Sequence, residues 1–390
     1  MKSSIRLRRS LRRFFNMAIM LALLPSACKD IDKPDLLTTF LFPEGSANRV
    51  GVISSDLGSS GRFSLVSYEG FPYSTLTSVH SDAVGRFYNG RVYIVNRLNR
   101  DNIQVLDPAL GFLTVLEFSV GAGNNPHDIA FASPERAYIA LYERNYILIV
   151  NPQNGTTLGS IDLSPYADAD GIPETQALFV DGGRLYAALQ RLNRNHPSGY
   201  LPPDNDSYLL EINIATDAVL ATHTFPSRNP FGKFRQVNFN GEPHIIISCP
   251  NRLGFISAQD GGVAAFNLAT RSFRSGLLYA ETAAGGDILD VALRDENTAY
   301  ASVLDAGFNK YIQRFDPSSG LRTGNVVAFT ADSGFISGLT ISSDGQKLFT
   351  GNADFNNPGV SIYDITRGDA PITAAPVSVG LRPVDIFNLD

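Results

Sequence analysis

From about residue 50 onward the chain is a succession of short apolar runs broken by Gly, Pro, Asn and Asp, and no helical period is sustained anywhere. The runs recur in one order. An apolar strand is followed by a turn, a second strand centred on Tyr, a third strand ending near Asp-Pro, and a fade into Gly and Pro. The clearest copies are "RVYIVNRLNRDNIQVLDPALGFLTVLEFSVG" from Arg91 and "HDIAFASPERAYIALYERNYILIVNPQNGTTLGSID" from His127. Opening strands can be anchored at Val84, Asp128, Gln176, Gln236, Asp290 and Gly338, spaced 44, 48, 60, 54 and 48 residues apart.

Repeats of this length built only from short strands predict an all-β fold, a β-propeller in which each repeat is a four-stranded blade burying its faces against its neighbours. A seventh opening strand, around Asp385, is followed by the end of the chain, while residues 50–79 hold three strand-like runs with no opening strand of their own. The expectation is a seven-bladed ring, residues 47–390, closed by pairing the C-terminal strand with the N-terminal strands, which leaves no free sheet edge in the ring. Composition agrees: 34 Gly and 22 Pro supply the turns, and 44% hydrophobic residues can fill seven blade interfaces.

The region before the repeats reads differently. Residues 1–27 carry Lys2, Arg6, Arg8, Arg9, Arg12 and Arg13, no acidic residue, and an apolar run over residues 14–24 that is too short to span a bilayer. This is an export signal. Its end, Pro25-Ser26-Ala27-Cys28, resembles a bacterial lipoprotein signal, which implies lipidation of Cys28, a tether over residues 28–46, and anchoring at the cell envelope, periplasmic or on the cell surface. Ordinary cleavage would instead give a secreted soluble protein. Without residues 1–27 the chain has 26 basic against 38 acidic residues, a net charge of -12, which excludes nucleic acid as the expected partner. Cys249, at the end of "HIIISC", reads as a small buried thiol.

The repeat itself resembles the YVTN-type propeller repeats of exported and surface proteins. The carriers are "VYIVN" at residues 92–96, "NIQVLDP" at 102–108, "NNPHDIAF" at 124–131 and "GLRPVDIF" at 380–387. The resemblance implies an exported seven-bladed propeller and leaves the activity open, because such repeats are scaffolds.

Three groups of residues carry candidate chemistry. Asp168, Asp170 and Glu174 in "DADGIPE", with Asp204 and Asp206 of the loop after Arg191, resemble acidic Asp-x-Asp-Gly loops. They raise the expectation of a stabilising calcium ion, which wants six to eight hard oxygens; the plain alternative is a polar turn. Arg97, Arg100, Arg144, Arg191, Arg194 and Arg252 recur between second and third strands and would form a guanidinium crown suited to carboxylate, sugar or peptide groups. His127, Asp128, Gln176, Gln236, Asp290 and Asp385 are placed on opening strands facing the central channel, with His127 the natural titrating member.

Enzyme motifs are lacking. No Gly-rich phosphate loop, nucleophile elbow or His-Glu-x-x-His occurs, and the absence of Trp argues against the quinone-cofactor dehydrogenase propellers. No quinone, nucleotide or haem is expected. The leading functional expectation is a membrane-anchored envelope lipoprotein that acts as a binding or scaffolding module for a protein, peptide or glycan partner. The alternative is a metal-assisted hydrolase of lactonase or esterase type at the channel mouth.

Overall fold

In the computed structural model, which describes residues 48–254, 258–329 and 336–390, the apolar runs pair into seven antiparallel sheets. Six take their strands in chain order: blade 1 covers residues 83–119, blade 2 126–162, blade 3 175–224, blade 4 231–273, blade 5 287–329 and blade 6 336–371. Blade 7 is composite, with strand order Arg382–Asn388, Arg49–Ser55, Gly61–Ser67, Pro72–Val79. Asp385 stands opposite Ile53 and Phe387 opposite Gly51, so the last strand of the chain is the innermost strand of the blade that the first strands build. The innermost strands contact one another in sequence around the ring. The fold is a seven-bladed β-propeller, closed as the unpartnered terminal strands predict. The export signal, Cys28 and the tether lie outside the described residues.

The hydrophobic pattern follows from position in the blade. Second and third strands are covered on both faces, so Arg136–Leu141 (RAYIAL) and Arg184–Leu189 (RLYAAL) are buried from their second residue on. Outer strands have one wet face, and Val219–Thr224 alternates half-buried and exposed along its length. The apolar core is accordingly divided into seven layers, one between each pair of adjacent blades. Each fully buried Val, Leu, Ile or Phe contributes about 1.5–3 kcal/mol. The Tyr of the second strands has a second use. Tyr138 Oη donates to Asp217 at 3.2 Å and Tyr300 Oη to Asp369 at 2.7 Å, each Asp lying in the third-to-outer turn of the next blade.

Antiparallel blades of this order place the loops between second and third strands, and those leading to the next blade, on one face of the disc, called the upper face. The remaining turns form the lower face. There the described chain begins at Asn48 and ends at Asp390.

The closing blade depends on one small residue. A β-carbon at Gly85, on the innermost strand of blade 1, would stand 2.0 Å from the Phe387 ring. Gly85→Ala is expected to lower stability by about 1–3 kcal/mol through overpacking, measured by urea unfolding. Gly159→Ala, whose β-carbon meets only Ile149 Cδ1 at 3.9 Å, should leave the midpoint unchanged or slightly higher.

Candidate functional site

Five of the seven innermost strands carry a single-residue bulge at the same level, at His127, Gln176, Leu289, Gly338 and Val384. A bulge turns the next side chain and leaves an amide without its ladder partner. Three times the next residue is Asp. Asp128 Oδ1 accepts from its neighbour Ile129 N at 2.8 Å, and its Oδ2 accepts Leu178 N of blade 3 at 2.9 Å. Asp290 does the same with Val291 N at 2.8 Å and Leu339 N of blade 6 at 3.1 Å. Asp385 Oδ2 accepts Gly85 N of blade 1 at 2.8 Å.

Each of these carboxylates also holds a cation from a different blade. Arg86 forks onto Asp128 with bonds of 2.9 and 2.8 Å, and Arg235 reaches Asp290 at 3.1 Å and the Leu339 carbonyl of blade 6. Lys233, from blade 4, crosses the channel to Asp385 of blade 7 at 2.6 Å and to Gly85 O of blade 1 at 3.1 Å. Burial lowers the Lys233 ammonium to about 8 while Asp385 pulls it back up, so it is charged at neutral pH. The three carboxylates therefore stand as three separate ion pairs and do not converge on one centre.

The upper end of the channel is lined by neutral groups. His127 Nδ1 lies 3.0 Å from Gln176 Oε1, and its ring stacks on Tyr142 with centroids 4.1 Å apart. Burial, reinforced by Arg97, lowers His127 to about 3, so the imidazole does not titrate near neutrality as the sequence suggests. Gln176 Nε2 continues to Gly232 O at 3.1 Å, and Tyr142 Oη donates to Gln190 at 2.8 Å. Gln236 sits apart, exposed on an innermost strand whose register breaks between Phe231 and Arg235.

The two acidic loops are neighbours, as their positions predict, yet their carboxylates are spent on protein donors. Asp168 accepts Asn205 Nδ2 at 2.5 Å, Asp170 accepts Arg194 N at 2.9 Å, Asp204 accepts Asn193 Nδ2 at 2.9 Å, and Asp206 pairs with Arg228 at 3.0 Å. Glu174 is fully buried in left-handed backbone, φ 44°. It accepts Leu192 N at 2.9 Å and pairs with Arg194, which also holds Glu143 at 2.5 Å. Burial pushes the Glu174 carboxyl up to about 8 against the pull of Arg194. Among the described residues no group of three or more His, Cys, Asp or Glu is arranged to hold a metal ion. In this arrangement Arg194 and Asn205 pin the long loop.

The guanidinium crown divides in two. Arg97 pairs with Asp82 and Arg100 with Glu117 at 2.5 and 2.9 Å, and half-buried Arg194 is held in the latch just described. Arg144 bonds only the carbonyls of Glu143 and Ala122, Arg191 bonds Asp206 O and lies 4.1 Å over the Tyr208 ring, and Arg252 is exposed. None of these three has a carboxylate partner among the described residues. The same face carries exposed apolar side chains at its loop tips, Leu57, Leu98, Tyr200, Phe308 and Phe355, a feature that sequence reading missed because a single Leu or Phe in a turn carries no periodic signal.

With this geometry in hand the chain can be set beside known proteins. No protein-family model and no curated protein matches it. The likeness is to solved structures. One is the dihydro-heme d1 dehydrogenase NirN in complex with DHE, with a TM-score of 0.58 at 12% identity over 89% of this chain and 76% of that one. Another is hydrazine synthase of Kuenenia stuttgartiensis, with a TM-score of 0.51 at 16% identity over 79% of this chain and 94% of that one. What is shared is the propeller.

The first of these structures corrects the expectation that haem plays no part with such a ring, since a propeller of this kind belongs there to a dihydro-heme dehydrogenase. In the present chain a covalent haem link does not fit the described residues: Cys249 is fully buried and burial holds its thiol far above the usual range. One donor does fit. With Nδ1 held by Gln176, half-buried His127 is left with an Nε2 that has no partner among the described residues, the arrangement in which a second group orients a ligating imidazole.

Proposed function

We propose that the protein is an exported, lipid-anchored binding module that engages a partner through the upper face of its propeller. The observation that carries this reading is the state of the channel carboxylates. Asp128, Asp290 and Asp385, the residues that a channel-mouth hydrolase would draw on, each serve a bulge amide or the amide of the next blade and neutralise a cation. Withdrawing any of them from that role would uncover a buried charge, at a cost of several kcal/mol. Among the described residues, the guanidiniums of Arg144, Arg191 and Arg252, which have no carboxylate partner, are on the upper face instead, which favours binding over catalysis. The signal-like residues 1–27 and Cys28 support export and anchoring, and the described chain enters the ring from the opposite, lower face.

Site-specific photo-crosslinking in cells tests the reading. A crosslinker at Leu98 or Tyr200 is expected to give a discrete adduct, and one at Phe71 or Leu110 on the lower face is expected to give none; adducts from the lower face alone would refute it.

A tetrapyrrole at the upper channel mouth is a second reading, favoured by the free Nε2 of His127 and by the dihydro-heme dehydrogenase likeness. His127 would hold the group through iron, and the group would supply redox chemistry when bound; Gln176 and Tyr142 would orient the imidazole. Titration with haemin should then give a shifted Soret band that His127→Ala abolishes, and an unshifted band with wild type would rule the reading out.

A further inference from the structure

Left-handed backbone is costly for a bulky side chain, and where a turn needs it Asn, Asp or Gly normally supplies it. This chain follows that rule at ten positions, among them Asn89, Asn125 and Asp217. It breaks the rule at eight positions on both faces, and two of these are exposed leucines of the upper face. Leu57, at φ 62°, and Leu98, at φ 27°, sit at the tips of the second-to-third-strand loops of blades 7 and 1, and their side chains are 45% and 54% exposed. The corresponding loop of blade 6 presents Phe355, 61% exposed, with the Arg382 guanidinium 4.3 Å from its ring centroid. Three consecutive blades, 6, 7 and 1, thus present large apolar side chains at the same level. Neither backbone comfort nor core packing accounts for Leu57 and Leu98.

The complementary arc of the same face, over blades 2, 3 and 4, carries the guanidiniums that no carboxylate neutralises among the described residues. Arg144 and Arg252 are the clearest, one held only by carbonyls and the other exposed. They stand out on a chain of net charge -6, where most other upper-face arginines are paired. Unpaired cations beside unburied apolar groups define a surface by what would satisfy it.

We infer that the upper face is bipartite and takes a protein partner whose contact surface sets carboxylates beside apolar side chains, the apolar part over Phe355, Leu57 and Leu98 and the acidic part over Arg144 and Arg252. The inference rests on the upper-face reading above and adds the partner's chemistry. An acidic partner is repelled by the net negative charge of the chain and attracted at one arc, which sets its orientation as well as its affinity.

The test uses the full-length protein and three fluorescein-labelled synthetic peptides of equal length: Leu with Glu, Leu with Lys, and Ser with Glu. Binding is followed by fluorescence anisotropy at low and high salt. The Leu/Glu peptide is expected to bind best, and to lose roughly tenfold in affinity with Arg144→Glu plus Arg252→Glu, with Leu57→Ser plus Leu98→Ser, and on raising the salt. The Leu/Lys and Ser/Glu peptides should each bind at least about tenfold more weakly. All four substitutions are in upper-face loops, and unchanged circular dichroism and melting confirm that the variants fold. Equal binding of the Leu/Glu and Leu/Lys peptides, or Leu/Glu binding unaffected by both double variants, overturns the inference. Absence of Leu/Glu binding while photo-adducts still form at Leu98 also overturns it and leaves the upper-face reading standing. Adducts confined to the lower face defeat both.

Discussion

The constraint on which the rest of the molecule depends is the closing of seven flat wedges around an axis without exposing backbone amides at the centre. The chain meets it with polar links between neighbouring innermost strands. Arg86 and Asp128 join blades 1 and 2, Asp128 and Leu178 N join 2 and 3, and Gln176 and Gly232 O join 3 and 4. Arg235 and Asp290 join 4 and 5, Asp290 and Leu339 N join 5 and 6, Ser337 Oγ and Pro383 O join 6 and 7, and Asp385 and Gly85 N join 7 and 1. Lys233 then ties blade 4 across the axis to blades 7 and 1. Buried amides and carboxylates are expensive unless paired, and here one Asp after a bulge satisfies a neighbouring amide, an amide of the next blade, or both, together with a cation from another blade. Apolar layers hold the blades face to face, while these links set their register at the hub.

This division explains how the molecule assigns its surfaces. A hub filled with ion pairs is a poor place for chemistry that needs a displaceable or titrating group, and the one imidazole there is held neutral by burial. The outer strands have one wet face and are bounded by neighbours. What is left most free to vary is the upper set of loops, whose roots are fixed by the hub and whose tips include the exposed Leu57, Leu98 and Phe355. Loops on a rigid scaffold are where binding specificity normally resides, and in this ring the tips combine solvent-facing Leu and Phe with guanidiniums that lack a carboxylate partner among the described residues.

Much of the architecture was legible in the chain because it is periodic. The Asp of "HDIAF", "LDVAL" and "VDIFN" recurs at one place in the repeat, and the chain-end arithmetic around Asp385 announces a shared blade. The role of those Asp residues was not legible. Their partners Arg86, Lys233 and Arg235 come from other blades, up to 152 residues away, and no spacing rule links them. Blade 4 misled the reading more directly: its irregular register between Phe231 and Arg235 puts Lys233 and Arg235 in the channel and leaves Gln236 exposed. In the acidic loops, sequence correctly made Asp168 and Asp204 neighbours by topology. It could not show that Asn205, Asn193, Arg194 and Arg228 reach those carboxylates first, because donors and acceptors in irregular loops are matched only in three dimensions.

The claim that the hub is held by charge-assisted links is tested most directly by equilibrium urea unfolding of Lys233→Met. Asp385 would be left in the channel with only its amide partner, and the account predicts a loss of about 3–5 kcal/mol, most of it restored in the double variant Lys233→Met with Asp385→Asn, which removes the stranded charge and keeps an acceptor for Gly85 N. A single variant within about 0.5 kcal/mol of wild type, or a double variant no more stable than the single, would show that the ring is closed by apolar packing alone.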